Sequence, residues 1–289
     1  MLIRRGVLRI SPISQRLTVF LFAAFFGAGC AGAAEPDGSA ELEIELKAGA
    51  GQDELLINST WTPTGDMLMS RTLFELVPLA NGKVIAIGGA ALESELYDPA
   101  TGSWGSPAPM SSQRHNFIAV TLLDGRILVA GGTWQSTLAT AEIYDPATNS
   151  WSNVASMTIP RKYHAATVLE SGKVLVVSGY TAGDVLTKST EIYDPATNTW
   201  TSAQPLSTGR VNPVMVRLND GRAFVVLGAG GGTTSELFDP VTGTWSFSAP
   251  AAESRYGHEV ALLPDGKVLT FGGFSAPDAL RRAEFGRSL

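Results

Sequence analysis

The sequence predicts an all-β chain built from repeated four-stranded units, and three observations carry that reading. One unit is written five times in nearly fixed register: Trp61, Trp104, Trp151, Trp200 and Trp245 are each followed ten positions later by Arg71, Arg114, Arg161, Arg210 and Arg255. Eleven positions further on stand Gly82, Gly125, Gly172, Gly221 and Gly266. Successive tryptophans are 43, 47, 49 and 45 residues apart, a period shared by propeller blades and helical arrays. Two apolar runs flank each glycine, joined in four of the five copies by Asp-Gly or Ser-Gly as in a hairpin, and no stretch of helical periodicity is long enough to matter, which leaves the blades.

The elements follow in chain order. Residues 1–29 read as a secretory signal: Arg4, Arg5, Arg9 and Arg16 precede the apolar run Leu17 to Phe26, which is too short to span a bilayer and ends in Gly27-Ala28-Gly29. Cys30, the only cysteine, closes a Gly-Ala-Gly-Cys stretch that resembles a bacterial lipobox, with Gly27 where that pattern prefers Leu. Cys30 is therefore a lipidation candidate, and cleavage after Ala31-Gly32-Ala33 is the other reading. Residues 30–50, small, polar and acidic, form a solvated tether, with an edge strand over Leu42–Leu46 left open. The leader has no acidic residue, so its removal takes the net charge from −6 to −10. An acidic mature protein is poorly suited to nucleic acid.

Each repeat in 51–289 opens with its arginine and an innermost strand, turns at the glycine, and returns as a second strand. In the third copy these are Ala165–Leu169, Ser171-Gly172 and Val174–Val177. The second strand ends in Gly88-Gly89, Gly131-Gly132, Ser178-Gly179, Leu227-Gly228 or Gly272-Gly273, and a loop of variable length follows. The third strand carries a repeated text: Glu95-Leu96-Tyr97-Asp98-Pro99, Glu142-Ile143-Tyr144-Asp145-Pro146, Glu191-Ile192-Tyr193-Asp194-Pro195 and Glu236-Leu237-Phe238-Asp239-Pro240. Asp-Pro opens a turn, because proline fixes its own φ while the aspartate accepts bonds from amides just beyond. The fourth strand begins at the tryptophan.

The text Gly-Lys-Val-Leu-Val-Val-Ser-Gly, followed by Glu-Ile-Tyr-Asp-Pro-Ala-Thr-Asn-Thr-Trp, resembles a kelch repeat, the blade of a kelch-type β-propeller, over roughly 51–289. The resemblance implies a ring of four-stranded blades, of which five are countable. The last copy stops at Gly286-Arg287-Ser288-Leu289, and Asn58–Trp61 is a spare fourth strand. Closure of the ring by this N-terminal strand is expected. Kelch propellers usually have six or seven blades, so a shortened relative of a larger one is the alternative.

Function should lie where the register varies. Trp to Arg and Arg to Gly never change, whereas Gly to Trp runs through 22, 26, 28 and 24 residues. The loops 133–141, 180–190, 229–234 and 274–283 therefore share one diversified face. Trp134, Tyr180 and Phe274 open three of these loops with aromatics the repeat does not require, suited either to stack on a sugar or anchor a peptide, or to plug the channel. Arg114, Arg161, Arg210 and Arg255, with Arg71, should ring the mouth on that face. They serve either as guanidinium forks for an acidic ligand or, as residues repeated in every blade commonly do, the blade itself, by bonding backbone carbonyls or packing against the adjacent Trp strand. The repeated Trp, Tyr and Asp read as scaffold.

Of three histidines, His164 and His258 share one register position and His115 another, so a three-ligand metal site is not expected. Galactose oxidase and its relatives resemble these repeats, but their copper site uses a tyrosine crosslinked to a cysteine with two histidines, and the repeats here contain no cysteine. Asp239 to Trp245 only superficially resembles a sialidase Asp box, and no nucleophile elbow, phosphate loop or HExxH helix is present. The expectation is an exported, monomeric binding propeller without cofactor or metal, its ligand a protein segment or cell-surface glycan and its only membrane link a lipid anchor. A galactose-oxidase-like enzyme and a truncated paralogue without ligand are the alternatives.

Overall fold

In the computed structural model, residues 62–89, 91–107, 109–275, 278–280 and 283–287 are described. The leader, Cys30, the tether and Asn58–Trp61 lie outside them. Strands form where the period-2 apolar runs predict them. The first blade holds β1 (Phe74–Pro78), β2 (Val84–Gly88), β3 (Glu95–Asp98) and β4 (Ser103–Gly105), and the second β5 (Ile118–Thr121), β6 (Ile127–Ala130), β7 (Ala141–Asp145) and β8 (Ser150–Val154). The third holds β9 (Ala165–Val168), β10 (Val174–Val177), β11 (Thr190–Asp194) and β12 (Thr199–Ala203), and the fourth β13 (Val214–Arg217), β14 (Ala223–Val226), β15 (Glu236–Asp239) and β16 (Thr244–Phe247).

The fifth begins with β17 (Glu259–Leu262) and β18 (Lys267–Phe271). A short hairpin, β19 (Phe274–Ser275) with β20 (Asp278–Ala279), stands between β18 and β21 (Ala283–Arg287). Every sheet is antiparallel in chain order. The fifth has three strands among the described residues, β17-β18-β21. No helix among the described residues is long and apolar enough to cross a membrane.

Apolar residues on alternate positions of the second strands turn to opposite neighbours and knit the blades together. Ile85 and Ile87 of blade one meet Ile127 and Val129 of blade two in one cluster. Leu128 and Ala130 then meet Val174 and Val176, Leu175 and Val177 meet Ala223 and Val225, and Phe224 and Val226 meet Val268. These second strands are the driest part of the molecule, with β6, β10 and β14 buried along their whole length. Burying each Val, Leu or Ile side chain there contributes about 1.5–3 kcal/mol.

The hairpins form as Asp-Gly predicts. Gly125 adopts φ +87° and donates its N–H to Leu122 O at 3.0 Å, while Asp124 Oδ1 accepts from Arg126 N at 3.0 Å. The Asp-Pro turn is also as read: Asp98, Asp145, Asp194 and Asp239 each accept from the amide two residues on, at 2.8–2.9 Å. Tyr97, Tyr144, Tyr193 and Phe238 pair across the blade with their tryptophans at ring distances of 4.9–5.2 Å. The indole N–H reaches backward along the chain: Trp200 Nε1 donates to Ala155 O at 2.7 Å and Trp245 Nε1 to Gln204 O at 2.9 Å. These aromatics couple strands three and four to the connection arriving from the preceding blade.

Candidate functional site

The four arginines proposed for the mouth are buried inside the blades. Arg114, Arg161 and Arg210 have no exposure and Arg255 has 1%. Each finds a carboxylate on the third strand of its own blade: Arg114–Glu142 at 2.7 Å, Arg161–Glu191 at 3.0 Å, Arg210–Glu236 at 2.9 Å and Arg255–Glu284 at 2.7 Å. Arg71–Glu95 at 2.9 Å completes the series. The same guanidinium donates to a carbonyl just past the second strand, as from Arg161 Nη1 to Ser178 O at 3.0 Å and from Arg210 Nη1 to Leu227 O at 3.2 Å. The other oxygen of each glutamate accepts a backbone amide three residues before the arginine, from Ser111, Thr158 and Ser207 at 2.6, 2.7 and 2.8 Å. These guanidiniums bond backbone carbonyls, as in one of the sequence readings, and face buried carboxylates rather than the mouth.

The glutamates are what the sequence reading missed. Their repetition was legible, but nothing in the spacing says that a side chain on the third strand closes on the start of the first.

His164 and His258 lie between blades, 6% and 3% exposed. His164 stands against Gly131 where, one blade earlier, Phe117 stands against Gly88. Burial is the main force on both rings, with Arg161 and Arg255 adding repulsion: the imidazole falls from 6.5 to about 3 in His164 and to about 4 in His258. Both are neutral core residues at pH 7. Among the described residues no three His, Cys, Asp or Glu side chains converge as metal ligands.

The three loop aromatics lie around the end of the innermost strands. The residue after each arginine bridges to the start of the variable loop: His115 to Thr133, Lys162 to Tyr180, Val211 to Ala229 and Tyr256 to Phe274. Trp134 is 43% exposed and meets His115 edge-on at 6.3 Å, and Phe274, 40% exposed, stacks on Tyr256 at 5.6 Å. Tyr180 is half-buried, beside the Lys162–Asp184 ion pair at 2.6 Å. Val185 and Leu186 of the third loop are exposed as well.

An inner ring went unseen in the sequence. The second residue after each arginine, namely Leu73, Asn116, Tyr163, Asn212 and Gly257, is left-handed at φ +47° to +61°. Three of them are tied from blade to blade, Tyr163 N donating to Asn116 O and Asn212 N to Tyr163 O, both at 3.0 Å. For Leu and Tyr this backbone is uncommon and costs energy that the surrounding blades must supply.

Radial packing of antiparallel blades, a constant face of glycine hairpins and an opposite face of variable loops define the class as a β-propeller. The kelch motif model matches residues 114–158 and 160–207, the second and third blades, and the other blades are similar to these two in their sequence pattern. Among solved structures it is similar to "Structure of YjhT", with 18% identity, coverage of 73% of this chain and 74% of that one, and a TM-score of 0.62. It is also similar to a novel fungal alcohol oxidase of the AA5 family in complex with copper, with 18% identity and a TM-score of 0.50. That match covers 76% of this chain and 63% of the oxidase. At these identities the likeness is one of fold. No curated protein matches the chain by sequence.

Proposed function

We propose that this protein is a non-catalytic binding propeller that holds a protein segment or glycan across its variable-loop face. The observation carrying the reading is the set of exposed aromatics on that face, Trp134, Phe274 and Tyr256, grouped by bridges that fix their loops to the innermost strands. Large exposed aromatics at loop tips are unfavourable for solubility, and binding surfaces are where they recur. The leader and Cys30 support export with a lipid anchor or free release. The buried arginines support a ligand that does not depend on guanidinium forks.

A glycan array and a pull-down from cell-surface extract, run with the mature chain and with Trp134→Ala/Phe274→Ala, test it. Capture by the wild type and at least tenfold loss in the variant, with an unchanged melting temperature, is the expected result. Equal capture by both would remove these loops from the site. The oxidase reading is tested separately by copper content and by turnover of sugar alcohols. Stoichiometric copper with turnover would replace the binding proposal.

A further inference from the structure

In the hairpins of the constant face, the residue before the turn glycine decides where a nearby cation goes. In blades two, four and five that residue is an aspartate, and it bonds twice to the residue two positions on. Its Oδ1 accepts the backbone N–H, from Arg126, Arg222 and Lys267 at 3.0, 3.0 and 3.1 Å. Its Oδ2 takes the side-chain cation, Arg126 on Asp124 and Arg222 on Asp220 at 2.7 Å, and Lys267 on Asp265 at 2.5 Å. In blades one and three the position holds uncharged Asn81 and Ser171, and the cation crosses the blade instead. Lys83 Nζ reaches Asp98 Oδ2 and Lys173 Nζ reaches Asp194 Oδ2, both at 3.0 Å. Asp98 and Asp194 end β3 and β11, so each crossing pair ties the start of a second strand to the end of a third.

Asn81-Gly82 is the single Asn-Gly pair of the sequence, and both residues are exposed at the turn. Asn81 Oδ1 accepts from Lys83 N at 3.1 Å, as the sister aspartates do from theirs. Folding the side chain over its own turn in this way brings Cγ toward the Gly82 nitrogen, which no side chain on residue 82 screens. It also sets a backbone donor on the oxygen where negative charge develops when that nitrogen attacks Cγ. A Cβ on residue 82 would meet no atom within 4 Å, so no other segment covers the approach. One bond opposes it: Gly82 N donates to Leu79 O at 3.0 Å and must let go first, a local opening of an exposed turn.

We propose that Asn81 is a spontaneous modification site, deamidated in the folded protein, and that conversion to aspartate transfers Lys83 from Asp98 to residue 81. Gly82 N gives its proton to solvent hydroxide and bonds to Asn81 Cγ. The Cγ–Nδ2 bond breaks, and Nδ2 leaves as ammonia after taking a proton from water. A second water opens the five-membered imide, at Cγ to give an aspartate or at the main-chain carbonyl to give an isoaspartate. The sum is asparagine plus water giving acid plus ammonia, with no electron transferred. The aspartate fits the hairpin geometry of blades two, four and five, its Oδ1 keeping the Lys83 amide and its Oδ2 gaining the ammonium. Blade one then changes from the cross-blade pairing of blade three to the local pairing of the others, on the face opposite the variable loops.

Two measurements test this. The folded mature chain is aged at about pH 8.5 and its peptides are weighed for the gain of about 1 Da that exchange of an amide for an acid brings. Conversion at Asn81 should run at least about tenfold faster than at Asn116, Asn149, Asn153, Asn198, Asn212 or Asn219, whose following residues all carry side chains. Asn81→Ser, which installs the residue of blade three, should remove that product. The second measurement follows the transfer of Lys83 in Asn81→Asp, by NMR titration of Asp98. Asp98 and Asp194 are held below the ordinary carboxylate range first by their lysines. In the variant Asp98 should rise toward that range, keeping the Ala100 amide alone, while Asp194, whose Lys173 still faces Ser171, stays where it is. No excess conversion at Asn81, or an Asp98 titration unmoved by Asn81→Asp, would overturn the proposal.

Discussion

Arg161 Nη2 meets Glu191 Oε1 at 3.0 Å with both side chains out of water, 0% and 1% exposed. Around that contact converge the end of β10 through Ser178 O at 3.0 Å, the loop before β11 through Ser189 O at 2.9 Å, and the connection before β9 through Thr158 N at 2.7 Å. One ion pair therefore gathers three separate segments of a blade at the end where its loops are carried. The five-fold arginine is explained by the carboxylate it faces, and the five-fold glutamate by the amide on its far oxygen. Each partner satisfies the other's desolvated charge, so the pair is worth less than its Coulomb energy but is expensive to break.

Arg161→Ala should therefore destabilise the chain by about 3–5 kcal/mol, because Glu191 is left buried and charged among backbone groups it cannot neutralise. Arg161→Met with Glu191→Leu removes both charges and should cost clearly less than either single truncation. Urea melts of the wild type, the two single variants and the double variant measure the difference. Equal losses in all three variants would mean that the pair is not the organising contact.

The strands were legible because apolar alternation and the glycine turns are local signals, and every hairpin from Gly82 to Gly266 is placed by them. The Asp-Pro turn was legible for the same reason, since Asp194 bonds an amide two residues away. Glu191 was not, because its partners lie 30 and 33 residues back in the chain and the separation changes from blade to blade with the variable loop. Leu73 and Tyr163 gave no warning either: their residue types argue against a left-handed backbone, and only the neighbouring blades impose it. Of the candidate site, the loops and Trp134 and Phe274 were readable. The bridges from Lys162 to Tyr180 and from Tyr256 to Phe274, which join those loops to the innermost strands, were not.

His164 makes a prediction about acid. Its folded pKa is held at about 3 against 6.5 unfolded, so the unfolded chain binds the extra proton first and stability is lost as pH falls below 6.5 toward 3. Phe117 fills the same position in blade two, packed on Gly88 as His164 is packed on Gly131. His164→Phe should gain about 2 kcal/mol over the wild type at pH 5 from ionisation alone, and much less at pH 7.5. His258→Phe should act in the same direction, and the two should add, because they sit in different blade junctions. Thermal melts at the two pH values test this. A gain that is the same at both would assign it to packing rather than to the proton.

Two glycines at the ends of one strand separate backbone conformation from crowding. Gly125, at the hairpin entering β6, has φ +87° and no atom within 4 Å of where a Cβ would stand. Gly131, just past the other end of β6, has φ +68°, and a Cβ there would lie 2.6 Å from Arg161 O and 2.7 Å from the His164 ring. Gly125→Ala should cost only the left-handed backbone, about 1–2 kcal/mol. Gly131→Ala adds a collision with a carbonyl that cannot turn away, because Gly132 N already donates to it at 2.7 Å. Its cost should exceed that of Gly125→Ala by at least about 2 kcal/mol. The two variants share residue type, strand and sign of φ, so denaturant melts run side by side read the crowding alone. A smaller loss at Gly131 than at Gly125 would show that blades two and three are not packed as tightly there as these distances require.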